Sequence, residues 1–420
     1  MTNPSLNNLR IDSDRLMDRI HRLGQVGALE GGGVCRLALT AADKAGRDLV
    51  VGWMKDLGLS VTVDRIGNVV GVRPGAVDGP PVMTGSHIDT VATGGLYDGN
   101  LGVLAGLEVV ETLNDAGIAT RHPVAVGFFT NEEGARFAPD MMGSGVHQGA
   151  LALEDCLATR GIDGTTVAED LQRIGYAGET PVGGFRARSF FELHVEQGPV
   201  LEEEGVEIGA VTGVQGISWT EYTVAGTSNH AGTTPMRLRH DAGYVAAAIA
   251  MYARQIAREM GGDQVGTSGV IDLEPNLINV IARRAKVTVD LRNTDEMLLR
   301  EAERRMAERV AALAAEEGVT ITARRLARFE PVDFDPATVD LVAATAERLG
   351  HSVKRMPSGA GHDAQMFAPN CPTAMIFVPS KGGISHNVRE YTAPAEIAAG
   401  ANVLLQVMLA AATAETEQAS

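Results

Sequence analysis

The run PVMTGSHIDTVATGGLYDGNLGVLAGLEVVETLNDAG, Pro81–Gly117, decides the fold. Its opening, Pro81–Ser86, is apolar or small without alternation, which predicts a strand buried on both faces. From Leu101 the apolar residues return at helical spacing (Leu101, Leu104 and Leu107; Val103 and Val110), and Gly117 supplies a stop. Two further strands of the same kind follow at Val124–Thr130 (VAVGFFT) and Phe190–Val195 (FFELHV). Strands of this type joined by a helix define an α/β unit built on a largely parallel sheet.

The pattern changes over residues 213–329. A strand at Ser218–Gly226 and a helix over Asp241–Met260 lead to strands at Thr267–Leu273 and Ala285–Arg292. A long helix and a strand at Val319–Arg325 complete the order β-α-β-β-α-β, that of a ferredoxin-like split unit. The α/β pattern then resumes with a helix near Pro336–Leu349 and a strand at Ala374–Val378. The expected organisation is an α/β domain formed by residues 1–212 and 330–420, interrupted by a smaller domain at 213–329.

A chain of 420 residues exceeds the usual size of a single core, in keeping with two domains. The 36 basic and 53 acidic residues give a net charge of −17, which repels nucleic acid and anionic membranes. Three separated cysteines (Cys35, Cys156, Cys371) without a CxxC pair argue against a disulfide framework and a thiolate metal site. The first twenty residues carry no hydrophobic signal core, and the longest apolar stretch is read as Tyr244–Ala253, too short to span a bilayer. A cytoplasmic location is expected.

Ligand-type side chains stand at strand ends, where open α/β sheets place their sites. They are His87 and Asp89 in SHIDT, Asp98 in GGLYDGNLG, Glu132 and Glu133 in TNEEG, His194, Glu196 and Gln197 in ELHVEQG, and His386 in GISHN. Two imidazoles and a carboxylate can hold a divalent ion, and a bidentate Asp can reach a second. Adjacent glutamates can divide the work between ligand and general base. Asp89 could accept the other N–H of His87. Each piece alone has an ordinary structural reading, and the residues by themselves leave metal binding open. No GxSxG elbow or phosphate loop occurs, which argues against nucleophilic catalysis and nucleotide binding.

Eight ordered segments carry a resemblance: TGSHIDTVATGGLYDGNLGVLAG, TNEEGARF, ELHVEQGPVLE, SNHAGTTPM, PNLINVI, VDLRN, SGAGHDA and GISHN. Over residues 35–410 the chain resembles the amidase, hydantoinase/carbamoylase family of dinuclear metallohydrolases. The resemblance implies a metallopeptidase-like catalytic domain with an inserted dimerisation or lid domain, a homodimer, and two divalent ions (Zn, Mn, Co or Ni). It assigns His87 and His194 to one ion, Glu133 and His386 to the other, and Asp98 to both. Glu132 becomes the general base that activates the attacking water and carries its proton to the leaving nitrogen. Peptidase relatives tend to have a carboxylate at the position of His194, so the histidine points to the carbamoylase branch. His230 is implied as the oxyanion donor. Gln197 is assigned to the ureido group, and Asn279 and Arg292 to the substrate carboxylate, helped by the backbone at Gly359 and Ala360. Asp89 and His362 support the site from behind. The implied reaction is hydrolysis of the ureido C–N bond of an N-carbamoyl amino acid, a small carboxylate-bearing substrate, giving amino acid, carbon dioxide and ammonia. Allantoate amidohydrolase and β-ureidopropionase are alternatives within the family, and a non-catalytic ligand-binding homologue is the alternative outside it.

Overall fold

The computed structural model describes residues 6–183 and 186–414. Its strands are β1 (Ser60–Val63), β2 (Val69–Arg73), β3 (Val82–His87), β4 (Val124–Phe129), β5 (Ser189–Val195), β6 (Ile208–Val214), β7 (Gly216–Ala225), β8 (Val265–Thr267), β9 (Ile271–Glu274), β10 (Arg284–Asn293), β11 (Thr320–Phe329), β12 (Val332–Asp333), β13 (Val353–Ser358) and β14 (Thr373–Val378). The chain divides into two compact units, Met1–Thr212 with Asp333–Ser420, and Gly213–Val332.

The larger unit is built on a nine-stranded sheet of order β1-β2-β4-β3-β5-β14-β6-β12, with β13 beside β6. Its centre, β4-β3-β5-β14, is parallel. Both flanks turn antiparallel, at β1-β2-β4 and at β14-β6. Every residue of the four central strands is buried, because helices cover both faces. The helix Asp98–Asp115 follows β3 and is buried along most of its length, which explains its lack of a polar face.

Tyr244–Ala253 is the longest unbroken apolar stretch, but the helix Pro394–Thr413, broken by Asn402 and Gln406, is the one that reaches membrane-spanning length. It has 20 residues and a mean hydropathy of 1.5, long and apolar enough to cross a membrane. It packs on β5, β14 and the helix Asp98–Asp115, and 67% of the apolar window is buried there, as in the core helix of a folded domain. Gln406 interrupts its apolar run. The amide of Gln406 is satisfied inside the fold by donating to the Leu6 and Leu9 carbonyls at 3.0 and 2.9 Å.

The smaller unit has an antiparallel sheet of order β11-β7-β10-β8, with β9 also on β10. Burial alternates strictly along β10, so one face carries the core. Val287 and Val289 pack there with Val245 and Ile249 of the helix Ala242–Met260 and Leu299 and Met306 of the helix Glu296–Glu317. The single strand expected at Thr267–Leu273 is divided into β8 and β9. Between them the Val270 carbonyl still accepts from the Thr288 amide at 3.1 Å, but the Val270 N–H donates to the Thr288 hydroxyl, also at 3.1 Å, rather than to a backbone carbonyl.

Candidate metal centre

The parallel strands deliver the site. His87 ends β3, Glu132 and Glu133 follow β4, and His194 lies at the end of β5. His386 follows β14, and Asp98 opens the helix after β3. Parallel strands end on the same edge of the sheet, so residues up to 299 positions apart in sequence meet there. Three non-glycine residues of these loops, Asn131, Gln197 and His386, have left-handed backbone with φ of 56°, 59° and 51°. Such conformations are held only where surrounding structure enforces them. Gly99 makes room for the His87 ring, since a Cβ there would lie 2.2 Å from it.

Two groups of ligand atoms share Asp98: His87, Asp98 and His194, and Asp98, Glu133 and His386. His194 Nε2 stands 3.4 Å from Asp98 Oδ1, His386 Nε2 stands 3.7 Å from Asp98 Oδ2, and His386 Nε2 stands 3.3 Å from Glu133 Oε2. Two donor atoms bound at about 2.1 Å to one tetrahedral ion stand about 3.4 Å apart, so the spacing suits a shared cation. The proton inventory points the same way. His87 Nδ1 lies 2.9 Å from the Asp89 carbonyl and His194 Nδ1 lies 2.8 Å from the Val195 carbonyl, so each Nδ1 carries the hydrogen and each Nε2 a lone pair. Burial brings His194 down to about 4, leaving it neutral at pH 7. Among the described residues, His194 Nε2 and Asp98 Oδ2 have no hydrogen-bond partner. A lone pair facing a carboxylate oxygen without a proton between them is the arrangement a cation satisfies.

Burial would raise Asp98, yet His194, His87 and His386 outweigh it and hold the carboxylate below its ordinary range. Glu132 and Glu133 go the other way. Burial pushes both well above the usual range, with added repulsion from Asp363 at Glu132 and from Asp98 at Glu133. The two glutamates face different groups, Glu132 Oε2 lying 3.2 Å from His87 Nε2 and Glu133 beside His386. Gln197 donates to Asp98 Oδ1 at 3.1 Å and its amide nitrogen lies 3.4 Å from His386 Nε2, so it adjoins both ligands.

Behind the ligands, three expectations change. The Asp89 carboxylate does not take the His87 N–H, which the Asp89 backbone carbonyl accepts instead. The carboxylate turns to the loop after β4 and accepts from the Glu132 and Glu133 amides at 3.3 Å each, holding the glutamate pair. The Ala360 N–H donates to Ser358 Oγ at 3.1 Å, so it is directed at its own turn rather than at a substrate. Glu196 accepts from the Val200 and Leu201 amides and caps the short helix Val200–Glu204. His362 is buried with its ring 4.5 Å from that of His194 and its Nε2 2.9 Å from Ser358 Oγ, while Gly359 is exposed. Asp363 of SGAGHDA and two groups that the sequence reading did not single out, Glu192 and Glu390, also belong here. Glu192 accepts from Ser86 Oγ and the Ala364 amide, Asp363 is fully buried, and Glu390 touches the start of the Asp98 helix. Glu192 lies within the ELHVEQG segment itself, but its strand position gave no sign of its partners.

The smaller unit places its three residues in two locations. His230 bridges to Val280, and the Ala231 amide donates to the Asn279 carbonyl at 2.9 Å, so His230 and Asn279 lie together and exposed beyond the Arg284 end of β10. Arg292 is near the opposite end of that strand, on the order of 25 Å away at 3.3 Å per residue. Asn279 and Arg292 are therefore not brought together within one copy of the unit. Arg292 pairs with Asp290 at 2.9 Å and lies over the Trp219 ring at 5.7 Å. His230 Nδ1 accepts from the Gly232 and Thr233 amides, so its proton resides on Nε2 and an exposed N–H donor remains.

Burial pushes Glu192 up to about 8 and Glu390 up to about 7. A carboxylate raised in the folded state adds stability that is complete below its unfolded value near 4.3 and is lost as pH rises through the folded value. His194 and His362, lowered by burial, act in the opposite sense only below about pH 6.5. The Tm of chelated protein should therefore fall between pH 6.5 and 8.5, and a divalent ion should restore it. A flat profile in the chelated protein would contradict these buried, protonated carboxylates.

Residues 83–410 match peptidase family M20/M25/M40, and the chain belongs to that family. It is 42% identical to an N-carbamoyl-L-amino-acid amidohydrolase of Rhizobium meliloti, covering 96% of this chain and 97% of that one. A more distant relative, the allantoate amidohydrolase of Bacillus subtilis, is 33% identical over 94% of this chain and 96% of its own length. A solved amidase of the hydantoinase/carbamoylase family from Burkholderia multivorans superposes with a TM-score of 0.94 at 47% identity, covering 97% of this chain and all of that one. The chain is an amidohydrolase.

Proposed function

We propose that this enzyme is a two-ion amidohydrolase that cleaves the ureido C–N bond of an N-carbamoyl amino acid, releasing the amino acid, carbon dioxide and ammonia. The observation that carries the reading is the pair of ligand groups sharing Asp98, with Glu132 beside one of them. The names of its relatives support the substrate class. His87 and His194 would hold one ion, Glu133 and His386 the other, and Asp98 both. Divalent ions bound there polarise a carbonyl and make water a better nucleophile near neutral pH. The donor set accepts zinc, manganese, cobalt or nickel.

The protein's own groups supply the rest. Glu132, lifted by burial above the usual carboxylate range, takes a proton from the attacking water and delivers it to the departing nitrogen. His230 offers a fixed N–H to the developing oxyanion. Gln197 is read as the ureido-binding group. The planar fork of Arg292 suits the substrate carboxylate, with Asn279 contributed by the second copy of a dimer, since one copy holds the two far apart. A homodimer formed through the smaller unit is part of this reading. The free sheet edge at β8 and β9, with the adjoining loop, exposes Val265, Ile271, Leu273, Leu277 and Ile278, and such an edge is a template for a second copy.

The test is ammonia release by metal-reconstituted enzyme from N-carbamoyl-L-α-amino acids, N-carbamoyl-β-alanine and allantoate at equal concentration. Preference for the first is expected. Preference for allantoate would transfer the assignment to the activity of the Bacillus subtilis relative, and silence on all three would refute the substrate class. In the same assay Arg292→Ala should raise KM for the best substrate with a smaller change in kcat. An unchanged KM removes Arg292 from the carboxylate site.

A further inference from the structure

We propose that Glu390 is the positioning residue for the Asp98/His386 half of the centre, one carboxylate fixing the backbone of both ligands. The helix that Asp98 opens lacks a side-chain cap at Tyr97, leaving its first amides to be satisfied from elsewhere. Glu390 Oε1 satisfies two of them, accepting from Tyr97 N and Asp98 N at 3.1 Å each. A carboxylate at a helix N-terminus is also favoured by the helix dipole. The other oxygen, Oε2, accepts from Ser385 Oγ at 2.9 Å. Ser385 directly precedes His386, whose left-handed backbone needs an external hold. The Glu390 amide donates to the Asn387 carbonyl at 2.9 Å, closing the turn that directly follows His386.

The glycine pair of GGLYDG fits the same arrangement. A Cβ on Gly95 would lie 2.3 Å from Glu390 Oε1 and 2.5 Å from its Cδ, so the carboxylate takes the space a side chain would fill. Glu390 is 5% exposed, and its carboxylate is enclosed by these partners. The other half of the centre is held separately, because His87 and His194 are oriented by the Asp89 and Val195 carbonyls. Asp98 serves both ions, but the first keeps two independently held histidines, so loss of Glu390 falls mainly on the second. The ion held by Glu133 and His386 is the vulnerable one, since the His386 side chain is 49% exposed and has no comparable bond to a backbone carbonyl among those described.

The inference rests on the two-ion reading, and the experiment separates the two. Full-length wild type, Glu390→Ala and Glu390→Gln are equilibrated across a series of free zinc concentrations, and bound zinc per chain is measured. Wild type should bind two ions. Glu390→Ala should keep one and bind the second about 10–100-fold more weakly. Glu390→Gln, which keeps the shape and an acceptor for the helix amides, should stay near wild type. Two ions at unchanged affinity in Glu390→Ala overturn the proposal, as does a Gln variant that loses the second ion as fully as the Ala variant. A wild type that binds one ion overturns the two-ion reading and the clamp with it. If Glu390→Ala does not fold, Ser385→Ala removes one arm alone and should weaken the second ion in the same direction by less, and no change there overturns the proposal.

Discussion

Replacing Glu132 by glutamine is expected to lower kcat by about 10²–10⁴-fold, the usual contribution of general acid–base catalysis, with bound metal unchanged. The substitution keeps shape and removes the proton acceptor. Glu132 is buried, and its carboxylate lies 3.2 Å from His87 Nε2, outside both groups of three ligands. The amide that fixes its backbone is held by Asp89, which the substitution leaves in place. Metal content should therefore match wild type while turnover collapses. Loss of metal in the variant would move Glu132 into the ligand set, and normal turnover would remove it from proton transfer. KM should change little, because the lost interaction operates in the transition state.

The second large effect is that of Asp98→Ala. This residue belongs to both ligand groups, so its loss should abolish binding of both ions and reduce activity to background. Three imidazoles converge on its carboxylate, and removing it leaves a cluster of histidines and glutamates without its central anion. Wild type should gain about 2.7 kcal/mol of stability from an ion present at a hundred times its Kd. In Asp98→Ala that gain should vanish, so the melting temperatures with and without ion should coincide. A variant that still melts higher with metal would show that the ligand groups do not depend on Asp98.

The elements that place the ligands were legible because their chemistry leaves few alternatives. Val124–Phe129 is apolar throughout and short, so only a strand covered on both faces accommodates it. The ligands could be suspected because they stand where parallel strands end, but the residues alone left metal binding open, and it was the family resemblance that assigned them. Other features were set by contacts that sequence spacing does not encode. The two-residue interval from His87 to Asp89 fixes a side of the chain but not the reach of a carboxylate, which turned to the neighbouring loop. The partners of Glu390 lie 292 and 293 residues away. At the break between β8 and β9 the Val270 N–H takes a threonine hydroxyl of the facing strand as its partner. The length of Pro394–Thr413 was obscured by Gln406, whose polarity is neutralised by carbonyls from the opposite end of the chain.

The order in which the ligands occur along the chain bears on how the enzyme matures. During synthesis His87, Asp98, Glu132, Glu133 and His194 emerge first, then the whole of Gly213–Val332, and His386 only near the end. Chains fold from the N-terminus as they are made, yet β14, which seats the segment bearing His386 against β5, is among the last strands to be translated. Until that segment is made, a growing chain holds an incomplete form of the proposed ligand set, and a chain truncated before β14 would lack His386 altogether.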